Sequence, residues 1–135
     1  MDLEIELKGA EALIQLLGEL EAARWLEQPM WQSVFLLQSY MAKYPDQPAP
    51  RNGNLPYIRT GTLGRRWTTD VVVNPGSVVG EVGNNTTYGP WVQSSRFQAW
   101  MHKGIWQTDE EAIRDNQEQI QDFFDHAINN VLKSA

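Results

Sequence analysis

Leu3, Ile5 and Leu7 alternate with Asp2, Glu4, Glu6 and Lys8, and Gly9 ends the alternation. A period of two marks a strand with one buried face, so a short first strand is expected. From Ala10 the spacing changes to Leu13, Leu16, Leu17, Leu20 and Ala23, the i, i+3, i+4, i+7 set of a helix with one buried face. Met30, Val34, Leu37 and Met41 repeat at helical spacing behind Pro29, which a first helical turn tolerates, and Tyr44-Pro45 closes the run. This is a second helix or a kinked continuation of the first. Trp25 and Trp31 fall inside these patterns and are expected in the core.

Pro45 to Pro56 holds four prolines and an Asn-Gly, too many breakers for a regular element, and predicts an exposed loop at about 45–58. An arginine-rich loop follows and leads into a hairpin. Trp67, Thr69, Val71 and Val73 form one face of its first strand, Asn74-Pro75-Gly76-Ser77 its turn, and Val78 to Val82 the return. Gly83-Asn84-Asn85 reads as a further turn, and Tyr88 to Val92 as one turn of helix or a bend. Between Ser94 and Gln107 the large residues match neither period, which leaves an extended arm or another hairpin open. Thr108 with Glu111 is a capping box, and Ile113, Ile120, Phe124, Ala127 and Val131 hold one face of the helix it starts, widened by Phe123, Ile128 and Leu132. The expected fold is α+β: a small, mostly antiparallel sheet packed by N-terminal helices and a long C-terminal helix, as one domain over residues 1–135.

Composition adds little to that picture, but charge changes it. Hydrophobic residues make up 41% and charged residues 21%, ordinary for a soluble domain, and no apolar run approaches the ~20 residues a membrane helix needs. The first residues lack the basic and apolar regions of a signal peptide, so maturation in a cytoplasm is expected. Without cysteine, only the two histidines and carboxylates remain as metal ligands, and no metal or cofactor is expected. The net charge of −6 is uneven: residues 1–27 and 109–125 carry seven acids each. Between Gln47 and Thr69 there is no acid, while Arg51, Arg59, Arg65 and Arg66 fall there. Such a basic island grips phosphate or meets an acidic patch on a neighbouring subunit, and the acidity of the whole chain favours the second.

Candidate chemistry is sparse. His102 and His126 stand 24 residues apart with no nucleophile arranged around them. Asp109, Glu110 and Glu111 are accounted for by the helix start. Gly61, Gly64, Arg65 and Arg66 have neither the spacing nor the lysine of a phosphate-binding loop. No catalytic site is expected. Trp91, Trp100 and Trp106 lie in unpatterned segments, where aromatics serve as anchors of protein–protein contacts.

The run Arg59-Thr60-Gly61-Thr62-Leu63-Gly64-Arg65-Arg66-Trp67, then a hairpin, then Val82-Gly83-Asn84-Asn85 with Tyr88-Gly89-Pro90-Trp91-Val92, resembles the neck proteins of tailed bacteriophages, of tail-completion or tail-terminator type, also described as minor tail proteins. The likeness runs from Leu3 to about Trp106. It departs at Val92-Gln93-Ser94-Ser95, where the family commonly has E-x-GT, and at Trp67, where serine is frequent. The resemblance implies a structural virion protein, not an enzyme, that forms a hexameric ring, caps the tail tube and joins it to the head connector. It implies the tail or neck of the virion as the location, assembly in the host cytoplasm, and as partners other copies of itself, a head-side connector or stopper protein and a tail tube or sheath protein. Genomic DNA would pass through the channel without sequence-specific binding, and no membrane is involved. Arg59, Arg65, Arg66, Trp67, Tyr88, Trp91, Trp100 and Trp106 are the expected contact residues. The alternative is a small nucleic-acid-binding module using the basic loop from Arg51 to Trp67.

Overall fold

The computed structural model describes residues 2–8, 11–45 and 62–134; the expected loop at 45–58 lies, after Pro45, outside them, as does Arg59. Three strands, β1 (Asp2–Lys8), β2 (Trp67–Asn74) and β3 (Ser77–Asn84), form an antiparallel sheet with β3 in the middle. Leu3 pairs with Val82 and Ile5 with Gly80 on one side, and Thr69 and Val71 meet the same two residues on the other. These positions share the face that the core covers. The hairpin closes at Pro75-Gly76, and Gly76 takes a φ of 78°, a conformation open to glycine at little steric cost.

The opposite face of the sheet carries a row of acids. Glu4 and Asp70 both pair with Glu81, so three carboxylates stand side by side across the strands. Like charges in such positions oppose one another, and the row is exposed to water.

Helices α1 (Glu11–Leu17), α2 (Glu19–Trp25) and α3 (Glu27–Met41) follow β1. The single helical face expected from Leu13 to Ala23 is not formed, because Gly18 takes a φ of 85° and separates α1 from α2. Leu13, Ala22, Ala23 and Leu26 are buried, whereas Leu16 and Leu20 face solvent. A one-residue joint at Leu26 then starts α3 as a distinct helix. Pro29, with no N–H to donate to the carbonyl of Trp25, keeps the two from fusing. Met30, Val34, Leu37 and Met41 are fully buried, as their spacing predicts, and each contributes roughly 1.5–3 kcal/mol of apolar burial.

α3 crosses the inner sheet face above Gly80. A Cβ built there would lie 2.6 Å from Met30 Sδ and from Val34 Cγ1, so the missing side chain is what admits the helix. The long helix α6 (Asp109–Ser134) packs along α3, with Phe124 and Ala112 buried and Ile120 beside Ile5 of β1. Thr108 Oγ1 accepts from the N–H of Glu111 at 3.3 Å, the bond its capping position predicts. The sequence expectation of an α+β domain with N-terminal helices and a long C-terminal helix is the architecture observed.

Several local expectations are corrected. The arginine-rich loop ends in a helical turn, α4 (Thr62–Arg65). Gly83 and Asn84 belong to β3 rather than to a turn, because the ladder to Trp67 and Thr68 continues through them. The turn of helix offered for Tyr88 to Val92 is present as a short helix, α5 (Gly89–Gln93), whereas residues 94–107 form neither an arm nor a hairpin but a chain of turns around a 3-10 turn at Trp100–His102. Trp25, expected in the core, is 52% exposed, since the alanines beside it make the close contacts of α2. Trp31 is half-buried and stacks on Phe35 at 5.6 Å.

Candidate interaction surface

α4, α5 and the turns up to Gln107 cap the end of the domain where α3 finishes and α6 begins. Side-chain amides bind them there. Gln93 is fully buried and its Nε2 donates to the carbonyls of Met41 (2.9 Å) and Gln107 (3.3 Å). Gln107 Nε2 donates in turn to the carbonyls of Tyr40 and Lys43, so two glutamines satisfy the carbonyls left over at the end of α3. Gln98 Nε2 donates to Val92 O at 2.6 Å and Trp106 O at 3.1 Å, closing the turns on themselves. Asn84 Nδ2 donates to Leu63 O at 2.8 Å and ties α4 to the end of β3. Beneath these bonds Leu63, Val92 and Trp106 form a small core against Tyr44.

With its backbone fixed inside, this cap turns large apolar side chains outward. Tyr88, Trp91, Phe97, Met101 and Ile105 are all exposed, and Trp100 is 81% exposed. Trp91 and Phe97 meet edge-on at 6.4 Å, and the Arg96 guanidinium lies 5.2 Å from the Phe97 ring centre. From Val82 to Thr108 the chain has no acid, while Arg96 and Lys103 are exposed beside these rings. Arg65, the last residue of α4, and Arg66 after it are also exposed, and Arg66 O accepts from the N–H of Asn85 at 3.1 Å. Exposed apolar side chains in this number, interspersed with cations on a hydrogen-bonded backbone, have the character of a protein-binding surface.

The expected contact residues divide between surface and interior. Arg65, Arg66, Tyr88, Trp91 and Trp100 are exposed at this end. Trp106 is 6% exposed and belongs to the cap's own core, where it lies 5.0 Å from Tyr44 and edge-on to His102 at 6.2 Å. Trp67 is half-buried on the inner face of β2 and its indole N–H donates to the Tyr44 hydroxyl. Burial pushes the Tyr44 phenol up, and the Trp67 bond opposes that shift. Phe97, Met101 and Ile105 were not singled out by sequence reasoning, although the acid-free run from Val82 to Thr108 marks the segment that carries them.

No protein-family model matches this chain, and no curated protein or solved structure matches it significantly. The surface is therefore read on its own chemistry. Among the described residues no group of three or more His, Cys, Asp and Glu side chains is placed to hold a metal ion. No described helix is long and apolar enough to cross a membrane.

A second charged feature lies on α6. Glu111, Asp115, Glu118, Asp122 and Asp125 follow one another at steps of four and three, which sets them in one stripe. That stripe is opposite the buried side of the helix at Ala112, Phe124 and the half-buried Ile120. One small domain thus presents a basic, aromatic end and an acidic helical flank.

Proposed function

We propose that this chain is a structural protein of the head–tail junction of a tailed bacteriophage, of tail-completion or tail-terminator type. It assembles as a ring of about six copies, caps the tail tube, meets the head-side connector and leaves a channel for the genome. The observation that carries this reading is the hydrogen-bonded cap whose rings are exposed to solvent. A domain that needed those rings for its own stability would bury them, whereas here amide bonds fix the backbone and leave the rings for another molecule. The motif likeness from Arg59 to Val92 supports the identity of the assembly, and the α+β architecture agrees with what that likeness implies. A ring requires two different surfaces that complement each other, and the basic cap and acidic flank supply opposite signs.

The test is the solution mass of the purified chain by light scattering, with negative-stain imaging of large species. Closed rings are expected, and Arg65→Glu combined with Arg66→Glu should reduce both ring formation and head–tail joining. Open filaments, or intact rings and joining in that double variant, would count against the reading.

A further inference from the structure

A groove of about 490 Å³ runs between the first half of α3 and the last half of α6. Pro29, Phe123, Ala127 and Val131 line it with apolar surface, and the exposed indole of Trp25 forms a wall. Its volume falls within the range of pockets that hold organic groups. Gln28, Gln32 and Asn130 supply polar groups at its margin.

The groove and the cap lie at opposite ends of one helix pair. The cap is bonded to the carbonyls of Tyr40 and Met41 at the end of α3, whereas the groove begins at Pro29. At 1.5 Å per residue the two are separated by roughly 18 Å along that helix. A copy cannot place its cap in its own groove, but it can place it in a neighbour's.

Charge selects the same pairing. The cap segment from Val82 to Thr108 has no acid and exposes Arg96 and Lys103. No carboxylate lines the groove itself, which also holds His126, but acids flank it: Glu21 and Glu27 neighbour Trp25 and Gln28 on one side, and Asp122 and Asp125 neighbour Phe123 and His126 on the other, against Arg24 and Lys133. Glu4 and Glu6 line a second apolar hollow, with Ile5, Leu37, Ile113 and Ile120, but at about 280 Å³ it is smaller than the α3–α6 groove.

We infer that Trp100, with Met101 and Ile105 beside it, seats in the α3–α6 groove of the next copy, giving a head-to-tail contact between cap and groove. This inference rests on the self-assembly reading and names the surface that receives the cap. Because the contact joins two different patches, it propagates, and it closes into a ring when the rotation between copies allows.

The chain has no cysteine, so introduced thiols report contacts without background. Met101→Cys, Gln28→Cys and Asn130→Cys all change residues exposed to solvent and leave Trp100 in place. Treated with a flexible thiol–thiol cross-linker, a mixture of Met101→Cys chains with Asn130→Cys or Gln28→Cys chains should give covalent pairs containing one of each. The chain carrying both Met101→Cys and Asn130→Cys should give a ladder of covalent multimers. Trp100→Ala should weaken assembly by about tenfold or more, the loss expected for a central aromatic anchor, and remove the ladder at equal concentration. Cross-linking of Met101→Cys to itself places cap against cap and overturns the inference. An oligomer by light scattering that links Met101→Cys to neither groove position overturns it while leaving self-assembly standing. A chain monomeric at every concentration overturns both.

Discussion

The phenol of Tyr40 donates to the Asp115 carboxylate at 2.5 Å, joining α3 to α6 beside the cap. This bond pushes the Tyr40 phenol up to about 12, with burial and the charges of Asp115 and Glu111 adding to the shift. The same bond, together with Arg114, holds the Asp115 carboxyl below the usual carboxylate range. A lowered carboxylate contributes stability that is complete above its ordinary titration and is lost as pH falls through the lowered value. A raised phenol contributes stability that is complete below its ordinary value of 10.0 and is lost as pH rises through about 12. Tyr40→Phe should therefore be less stable than the parent at neutral pH, and the gap should narrow at strongly acidic and strongly alkaline pH. Chemical denaturation of both proteins across pH measures this, and a gap independent of pH would show that the bond does not form.

Gly80 is where α3 lies closest to the sheet. Gly80→Ala should destabilise the domain by about 1–3 kcal/mol, because the new methyl meets the stiff branched side chain of Val34 as well as the more pliant Met30. Urea denaturation should show a lower midpoint with an unchanged slope. Retention of the parent midpoint would mean that α3 lifts away from β3 at little cost.

Gln98 holds the turns of the cap together from within. Gln98→Ala leaves the carbonyls of Val92 and Trp106 without the amide they accept from, a loss of about 1 kcal/mol for each of these part-buried bonds. Amide hydrogen exchange should quicken at His102 and Trp106 while the hairpin and α3 keep their protection. Assembly should weaken with it, since rings on a loosened backbone must be ordered on contact. Unchanged exchange in the cap would contradict the role given to this side chain.

If opposite charges guide cap to groove, salt should oppose assembly. The screening length falls from about 10 Å at 0.1 M to about 3 Å at 1 M, so the apparent dissociation constant should rise over that range. Lys103→Glu should weaken assembly at low salt and reduce its salt dependence. Sedimentation at several ionic strengths separates this from an apolar contact, which would strengthen as salt is added.

The sequence made the hairpin and the start of α6 legible because both are local: alternation sets the inner face of β2, and Thr108 with Glu111 sets the cap bond. It left the phase of the N-terminal helices open. Leu13, Leu16, Leu17 and Leu20 fit one stripe only if the helix is continuous, and Gly18 turns the second half to a different face. Trp100 and Trp106 could not be told apart, since no period links them and the burial of Trp106 depends on its contacts with Gln98 and Tyr44, which no local pattern announces. The acid-free run identifies the segment of the candidate surface, but which side chains point outward follows from glutamine amides that no short motif announces.

The row Glu4–Glu81–Asp70 on the outer sheet face has a consequence for how copies of the chain can meet. Two such faces brought together would set six carboxylates against each other, so sheet cannot stack on sheet without a large electrostatic cost. If copies assemble as proposed, growth would be steered away from the flat side of the molecule and towards the two poles of its helix pair. An assembly built under that constraint would extend along a single line or bend it into a loop rather than thicken into a layer.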